Sequence, residues 1–123
     1  MENTKQTYEL AYNGDVDGIR IAVGDEDFVL LLHDEDGEYE WQEACDKFNL
    51  PTVKQARIIA AYLPEIQQVL REHDGDELGD KWYWTKSECT ANGAWLYNGG
   101  NGVVTGNNKS NSYSVRTVLA SNA

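Results

Sequence analysis

Few side chains in this 123-residue chain are of the kinds that move protons, hold metals or attack carbonyls. His33 and His73 are the only histidines. One closes an apolar run and the other lies in a polar one, and neither has a nucleophile at a recognisable spacing, so acid–base or nucleophilic catalysis is not indicated. Cys45 and Cys89 stand in no CxxC or other metal-ligand spacing, which reads as two ordinary thiols suited to a reducing compartment, with a single disulfide between them left open. In "NGDVDG", Asn13, Asp15 and Asp17 occupy the first ligand positions of a calcium loop and Gly18 its turn position, but Gly24 stands where its bidentate Glu is required. "DEDG" (Asp34 to Gly37) and "DGDE" (Asp74 to Glu77) are shorter fragments of the same kind, and all three are expected to be solvated turns. "GGNG" lacks the Lys and Ser or Thr of a phosphate loop. We therefore expect no catalytic residue, no metal, no cofactor and no enzyme activity.

The elements that would position any site read as strands, then helices, then strands. "TYELAY", "GIRIAV" and "DFVLLLH" are β-rich runs separated by turn residues. Trp41, Ala44, Cys45 and Phe48 share one face of a short amphipathic helix. Thr52 and Gln55 have capping-box spacing, followed by a stripe of Ala56, Ile59, Ala60 and Leu63; Pro64 suits the first turn of a further helix carrying Ile66, Val69 and Leu70. "REHDGDELGD" reads as a loop. Period two returns in "KWYWTKS", which puts Trp82 and Trp84 on one face, in "AWLYN", which pairs Trp95 with Tyr97, and in the closing strand "YSVRTVLA". With no βαβ rhythm, the fold class is α+β in a single domain spanning 1–123.

Charge divides this chain. All 21 acidic side chains and eight of the ten basic ones lie in residues 1–88, whereas residues 89–123 hold only Lys109 and Arg116. A net charge of −11 argues against nucleic acid and anionic membranes as partners. No apolar run reaches the ~18 residues of a membrane span, and "MENTKQTYEL" has no secretory signal, so we expect a cytoplasmic or particle-associated protein without membrane insertion.

The series "YEWQEACDKF", "LPT", "YWTKSE", "AWLYN", "NNKSNS" and "VRTVLA" resembles C-type-lectin-fold domains related to formylglycine-generating enzyme. More closely, it is similar to the variable target proteins of diversity-generating retroelements. The resemblance covers about residues 39 to 120 and rests on Tyr83, Trp84, Ser87, Glu88, Ala94, Trp95, Gly102, Lys109, Val115 and Arg116. It implies a C-type lectin fold, with short antiparallel strands and two or more helices between the N-terminal and C-terminal strand regions, and a scaffold (1–88) presenting a variable region (89–118). In such systems adenine-directed mutagenesis acts on AAC codons, which cannot become Lys, Glu, Gln, Met or Trp. Residues 89–114 hold only the reachable types, except Trp95 and Lys109, which fall on scaffold positions of that family. Neither the calcium-dependent sugar-binding motifs nor the paired late cysteines of the oxidising relatives occur.

The resemblance thus implies a non-enzymatic ligand-binding protein. Its variable binding positions are Thr90, Asn92, Gly93, Leu96, Asn98, Gly100, Asn101, Val103, Thr105, Gly106, Asn107, Asn108, Ser110, Asn111 and Tyr113. The partner is an unidentified protein or cell-surface ligand, and a homo-oligomer is left open. Tyr, Asn, Ser and Gly suit such a surface, as they do antibody loops, because they contact adaptably without desolvating charge. Trp84 and Trp95 are expected to be buried anchors, Val115 and Arg116 to belong to the closing strand, and Leu96, Asn98, Val103 and Tyr113 to be exposed. The competing expectations are a fixed structural or adhesive component of a phage-like particle, a more remote enzyme of the formylglycine-generating type, and a plain Gly/Asn-rich turn region.

Overall fold

A computed structural model describes residues 8–120. Thr7, which the sequence pattern includes in the first strand, lies outside the described residues with the rest of the amino-terminal stretch. The elements run β1 (Tyr8–Asn13), β2 (Gly18–Val23), β3 (Glu26–Leu31), β4 (Tyr39–Glu40), α1 (Trp41–Lys47), α2 (Val53–Ala61), α3 (Leu63–Glu72), β5 (Trp82–Glu88), β6 (Gly93–Asn98), β7 (Val104–Asn108), β8 (Ser112–Tyr113) and β9 (Val118–Ala120). Their sheets are antiparallel. β1-β2-β3-β9 form one, β5-β6-β7 another, and β4 pairs with β8. The chain is mixed α and β, with the helices between two sets of strands.

Local sequence explains most boundaries. The Thr52 hydroxyl accepts from the Gln55 amide while the Gln55 side chain accepts from the Thr52 amide, so both exposed donors at the start of α2 are satisfied. Pro64 sits in the first turn of α3, where its missing N–H costs nothing. α2 and α3 turn Ala56, Ile59, Leu63, Ile66 and Leu70 onto Ile19, Ile21, Phe28 and Leu30 of the first sheet, and this is the main core. Each large apolar side chain so enclosed contributes about 1.5–3 kcal/mol. A second core gathers Ala44, Leu50, Trp84, Ala94, Leu96 and Val115.

Three sequence expectations change. α3 continues through Arg71 and Glu72, and the His73 amide donates to the Leu70 carbonyl at its end. The polar composition there reflects an exposed last turn. The loop that follows is pinned: the Leu78 amide donates to the Gln67 side chain, and Leu78 is buried. The closing strand is interrupted, because Ser114 to Thr117 lie between β8 and β9 and bond elsewhere. Ser114 exchanges backbone hydrogen bonds with Trp82 and Trp84, while the Thr117 carbonyl accepts from Leu31. Val115 and Arg116 are therefore a buried crossing between sheets, not strand residues.

Candidate functional site

The β6–β7 hairpin and its turns carry most of the predicted variable positions, and their burial divides them. β6 is central in its sheet and is packed on both faces. Tyr97 belongs to the main core, stacked on Tyr83 with ring centroids 5.2 Å apart, while Ala94 and Leu96 belong to the second core. Leu96 is 1% exposed, which corrects its expected place on the surface. Period two does separate the faces of β6, but here the second face meets α1 and the closing segment instead of water. Asn98 is also buried, and its side-chain oxygen accepts from the amides of Gly100 and Asn101. It builds the β6–β7 turn, as Asn commonly does. Tyr113 is half-buried, edge-on to Trp84 at 5.1 Å, and packs as scaffold.

The two tryptophans differ as well. Trp84 is fully buried and donates its indole N–H to the Tyr39 carbonyl, as an anchor should. Trp95 is half-exposed, with the Arg57 guanidinium 5.6 Å from its ring, so it is not the buried anchor expected.

Seven predicted positions do gather at one end of the hairpin. Thr90 and Asn92 in the β5–β6 turn, Gly106, Asn107 and Asn108 on β7, and Ser110 and Asn111 beyond it are all exposed. All of them but Asn111 border two shallow hollows of about 360 and 310 Å³. The first is completed by Glu40, Trp41 and Gln42, and the second by Cys89 and Gly93. Gly100, Asn101 and Val103 lie at the opposite end of the hairpin, with Val103 48% exposed, and Thr105 is half-buried between the ends. The glycines have structural reasons to be there. A Cβ on Gly106 would stand 2.7 Å from the Cys89 sulfur and one on Gly93 3.0 Å from it, while one on Gly100 would meet Asp80 at 2.6 Å. Free exchange at these three positions is therefore not supported.

Lys109 holds the gathered end in place. Its ammonium donates to Glu88 and to the Ala91 carbonyl at 2.9 Å, lies 4.5 Å from the Trp41 ring centroid, and its carbonyl accepts from the Trp41 amide. Three separate elements thus meet at one side chain. Asn107 and Asn108 help, accepting from the backbone amides of Asn108 and Ser110 respectively. The side chains of Thr90 and Asn92 make no hydrogen bond within the described residues.

The sequence reading missed a polar centre at the other end of the molecule. Arg116 is fully buried; its Nε donates to Asp34 at 2.7 Å, and its two terminal nitrogens donate to the carbonyls of Leu31, Leu32, Asp76 and Glu77. Asp34 also accepts from the Tyr83 hydroxyl at 3.0 Å and pairs with Lys81 at 2.9 Å. "DEDG" is thus no solvated turn at its first residue, since that carboxylate neutralises a buried cation. Burial pushes the Tyr83 hydroxyl up to about 12 and shifts Tyr97 upward further. The Tyr97 hydroxyl is buried without a hydrogen-bond partner among the described residues. The legible sign was an Arg in an otherwise carboxylate-free tail, which needs an acid from elsewhere if buried.

The His33 Nδ1–H donates to the Asp76 carboxylate at 3.0 Å, and that contact lowers the Asp76 pKa. His73 stacks on Tyr12 at 4.1 Å. "NGDVDG" forms the β1–β2 turn: Asn13 pairs with Gly18, the Asn13 side chain accepts from the Asp15 amide, and the Tyr12 hydroxyl donates to Asp17. Both cysteines are free thiols, so no bond joins Cys45 to Cys89. No group of His, Cys, Asp and Glu suited to a metal ion occurs among the described residues, and no helix there is long and apolar enough to cross a membrane. No protein-family model matches the chain, and no curated protein matches it.

Proposed function

We propose that the protein is a non-enzymatic ligand-binding module with a C-type lectin fold, whose binding surface is the β7 end of the hairpin. The observation that carries this reading is the gathering of the uncharged residues Thr90, Asn92, Asn107, Asn108, Ser110 and Asn111 on one exposed surface, bordered by Glu40 and by the Lys109–Glu88 pair. A surface of Asn, Ser and Thr on a rigid support can change its side chains without changing its backbone, which suits recognition of varied ligands. The order of the elements, with three helices between two strand regions, supports the lectin-like part of the proposal. Under it, the coding sequence for this surface is diversified at adenines, and the display set narrows to those six residues plus Thr105, Asn101 and Val103. The partner is a protein or cell-surface ligand.

A fixed adhesive component of a particle is the second reading, favoured by the turn-building hydrogen bonds of Asn98, Asn101, Asn107 and Asn108. Sequencing the DNA that flanks the gene separates the two. The diversified reading requires a reverse-transcriptase gene and a near-copy of the segment encoding residues 89–118 that differs at adenines. A flank without that repeat leaves the fixed adhesin.

A further inference from the structure

β1 is the free border of the first sheet. The opposite border, β9, is covered: the Val118 amide donates to the Asn49 carbonyl, and the Asn49 side-chain amide donates to the Val118 carbonyl at 2.6 Å. β1 reads Tyr-Glu-Leu-Ala-Tyr-Asn and pairs with β2 in an unbroken register, so no Lys, Pro or bulge discourages a further strand. Its hydrogen-bond phase is fixed by the β2–β3 hairpin. A two-residue turn, here Gly24 and Asp25, is closed by a pair that exchanges both main-chain bonds, which assigns Val23 and Glu26 to the bonded set. The Leu32 amide donates to the Asp17 carbonyl at the other end of the hairpin, in the same phase. Ile19, Ile21 and Val23 therefore bond to β3, while Gly18, Arg20 and Ala22 bond to Asn13, Ala11 and Glu9. The main-chain groups of Tyr8, Leu10 and Tyr12 are left pointing outward, and those of Leu10 and Tyr12 find no partner among the described residues.

Side chains identify what fits there. Tyr8, Tyr12 and Val16 are large, exposed and apolar, and all three belong to β1 and its turn. Tyr8 leans on Tyr62 with ring centroids 4.5 Å apart, and Tyr12 is stacked on His73 at 4.1 Å. On the other face of the strand, Glu9 accepts from Arg20 at 3.2 Å, and Ala11 is directly opposite Arg20 in the β1–β2 pair. This strand is complementary to itself. When a second β1 runs antiparallel to the first with a twofold axis at Leu10, the outward groups of Tyr8, Leu10 and Tyr12 meet those of Tyr12, Leu10 and Tyr8 in the other copy. The same register sets each Tyr8 beside a Tyr12 of the other copy, prolonging the aromatic rows begun by Tyr62 and His73. It also sets each Glu9 beside the other copy's small Ala11, behind which stands Arg20. The carboxylate thus meets a cation, and the two Glu9 side chains do not face each other.

We propose that two copies of this chain join edge to edge through β1, with Leu10 on the twofold axis, so that their two four-stranded sheets become one. Main-chain pairing along the edge supplies affinity, and the alternation of Tyr, Glu, Leu and Ala selects a second copy over an arbitrary strand. None of the residues proposed for display lies on β1, so the pairing consumes none of them and makes the protein bivalent. This inference is independent of whether the display surface is diversified.

The test is sedimentation of the full chain across a hundredfold range of concentration, in enough salt to screen its net charge of −11, with hydrogen exchange read at both extremes. The mass should double, and the Leu10 and Tyr12 amides should exchange more slowly in the concentrated sample. Two substitutions at one position report the register. Ala11→Glu faces the other copy's Glu9 twice per dimer and should raise the dissociation constant about tenfold, whereas Ala11→Lys brings the opposite charge there and should lower it. The exchange measurement on the unmodified chain covers the case in which a variant does not fold. A chain that stays monomeric throughout, a dimer whose slowed amides lie away from β1, or equal responses to Ala11→Glu and Ala11→Lys overturns the proposal. So does slow exchange on β1 at a monomeric mass and at every concentration, since another part of the same chain would then occupy the edge.

Discussion

The carboxylate-free tail contains two regions with opposite fates. From Ser114 to Val118 every residue is buried, whereas Gly106 to Asn108, Ser110 and Asn111 are exposed. Both regions are poor in charge, so composition alone does not distinguish them. In the first, lack of acid spares the core unpaired carboxylates, and the one cation there, Arg116, borrows Asp34 from the far end of the chain. In the second, it leaves a neutral rim on a strongly acidic body. A single compositional signal thus accompanies two opposite environments, a buried crossing and an exposed rim.

Arg116→Leu is the severest test of this difference. It leaves Asp34 partly buried with only Lys81 and Tyr83, and four carbonyls lose a donor, so a loss of about 3–5 kcal/mol is expected in chemical denaturation. Trp84→Ala should cost a similar ~3–5 kcal/mol. If either variant melts like the parent protein, the buried region is not what holds the hairpin.

Within β6 the expected effects are smaller and differ between neighbours. Leu96→Ala should cost about 2–5 kcal/mol, because Leu96 fills the second core. Trp95→Ala should cost clearly less than Trp84→Ala, since Trp95 already keeps part of its surface in water. A reversed order for the two tryptophans would contradict the burial described here.

Alkali offers a third comparison, between Tyr83 and Tyr97. Both hydroxyls are held protonated in the folded chain above their ordinary value of 10.0 by burial. The unfolded chain gives up these protons first, so stability is full below pH 10 and should fall as pH rises through about 12 for Tyr83. Tyr83→Phe, read at neutral pH, should lose about 1–2 kcal/mol with its bonds to Asp34 and Gly79. Tyr97→Phe removes a hydroxyl with no hydrogen-bond partner among the described residues, and should be neutral or stabilising by up to about 1 kcal/mol.

The smallest effect belongs to the display end. Replacing Thr90, Asn92, Ser110 and Asn111 together with Ala or Tyr should leave each position within about 0.5 kcal/mol, while altering which ligands bind. Collapse of the fold would make these packing residues and end the display proposal. Leu96, Asn98 and Tyr113 are excluded from that set by their burial.

Period and capping chemistry were legible because they are local. The Thr52–Gln55 box and the turn at "NGDVDG" each depend on residues within a few positions of one another, and both appear in the fold, while the stripe keeps Ala56 and Ile59 on α2 but leaves Ala60 half-buried and passes Leu63 to α3. Arg116 was not legible as a hub, because Asp34 lies 82 residues away and only packing brings the pair together. Nor could alternation reveal that both faces of β6 are covered. A period of two says that Leu96 and Tyr97 point apart, and is silent on what each one meets.

The amino-acid sequence by itself determined the broad order of strands, then helices, then strands, though not β4, β7 or the break in the closing strand, together with the segregation of charge and the supply of small polar residues for one surface. Each follows from neighbouring residues or from simple composition. Only the tertiary structure decided which of those polar residues face water. Asn98 and Asn107 are chemically identical, yet one is sealed beneath its own turn and the other stands on an open edge. Exposure is a property of what packs alongside, and for β6 and β7 those neighbours come from α1, α2 and the closing segment, distant in the chain and brought close only by the fold.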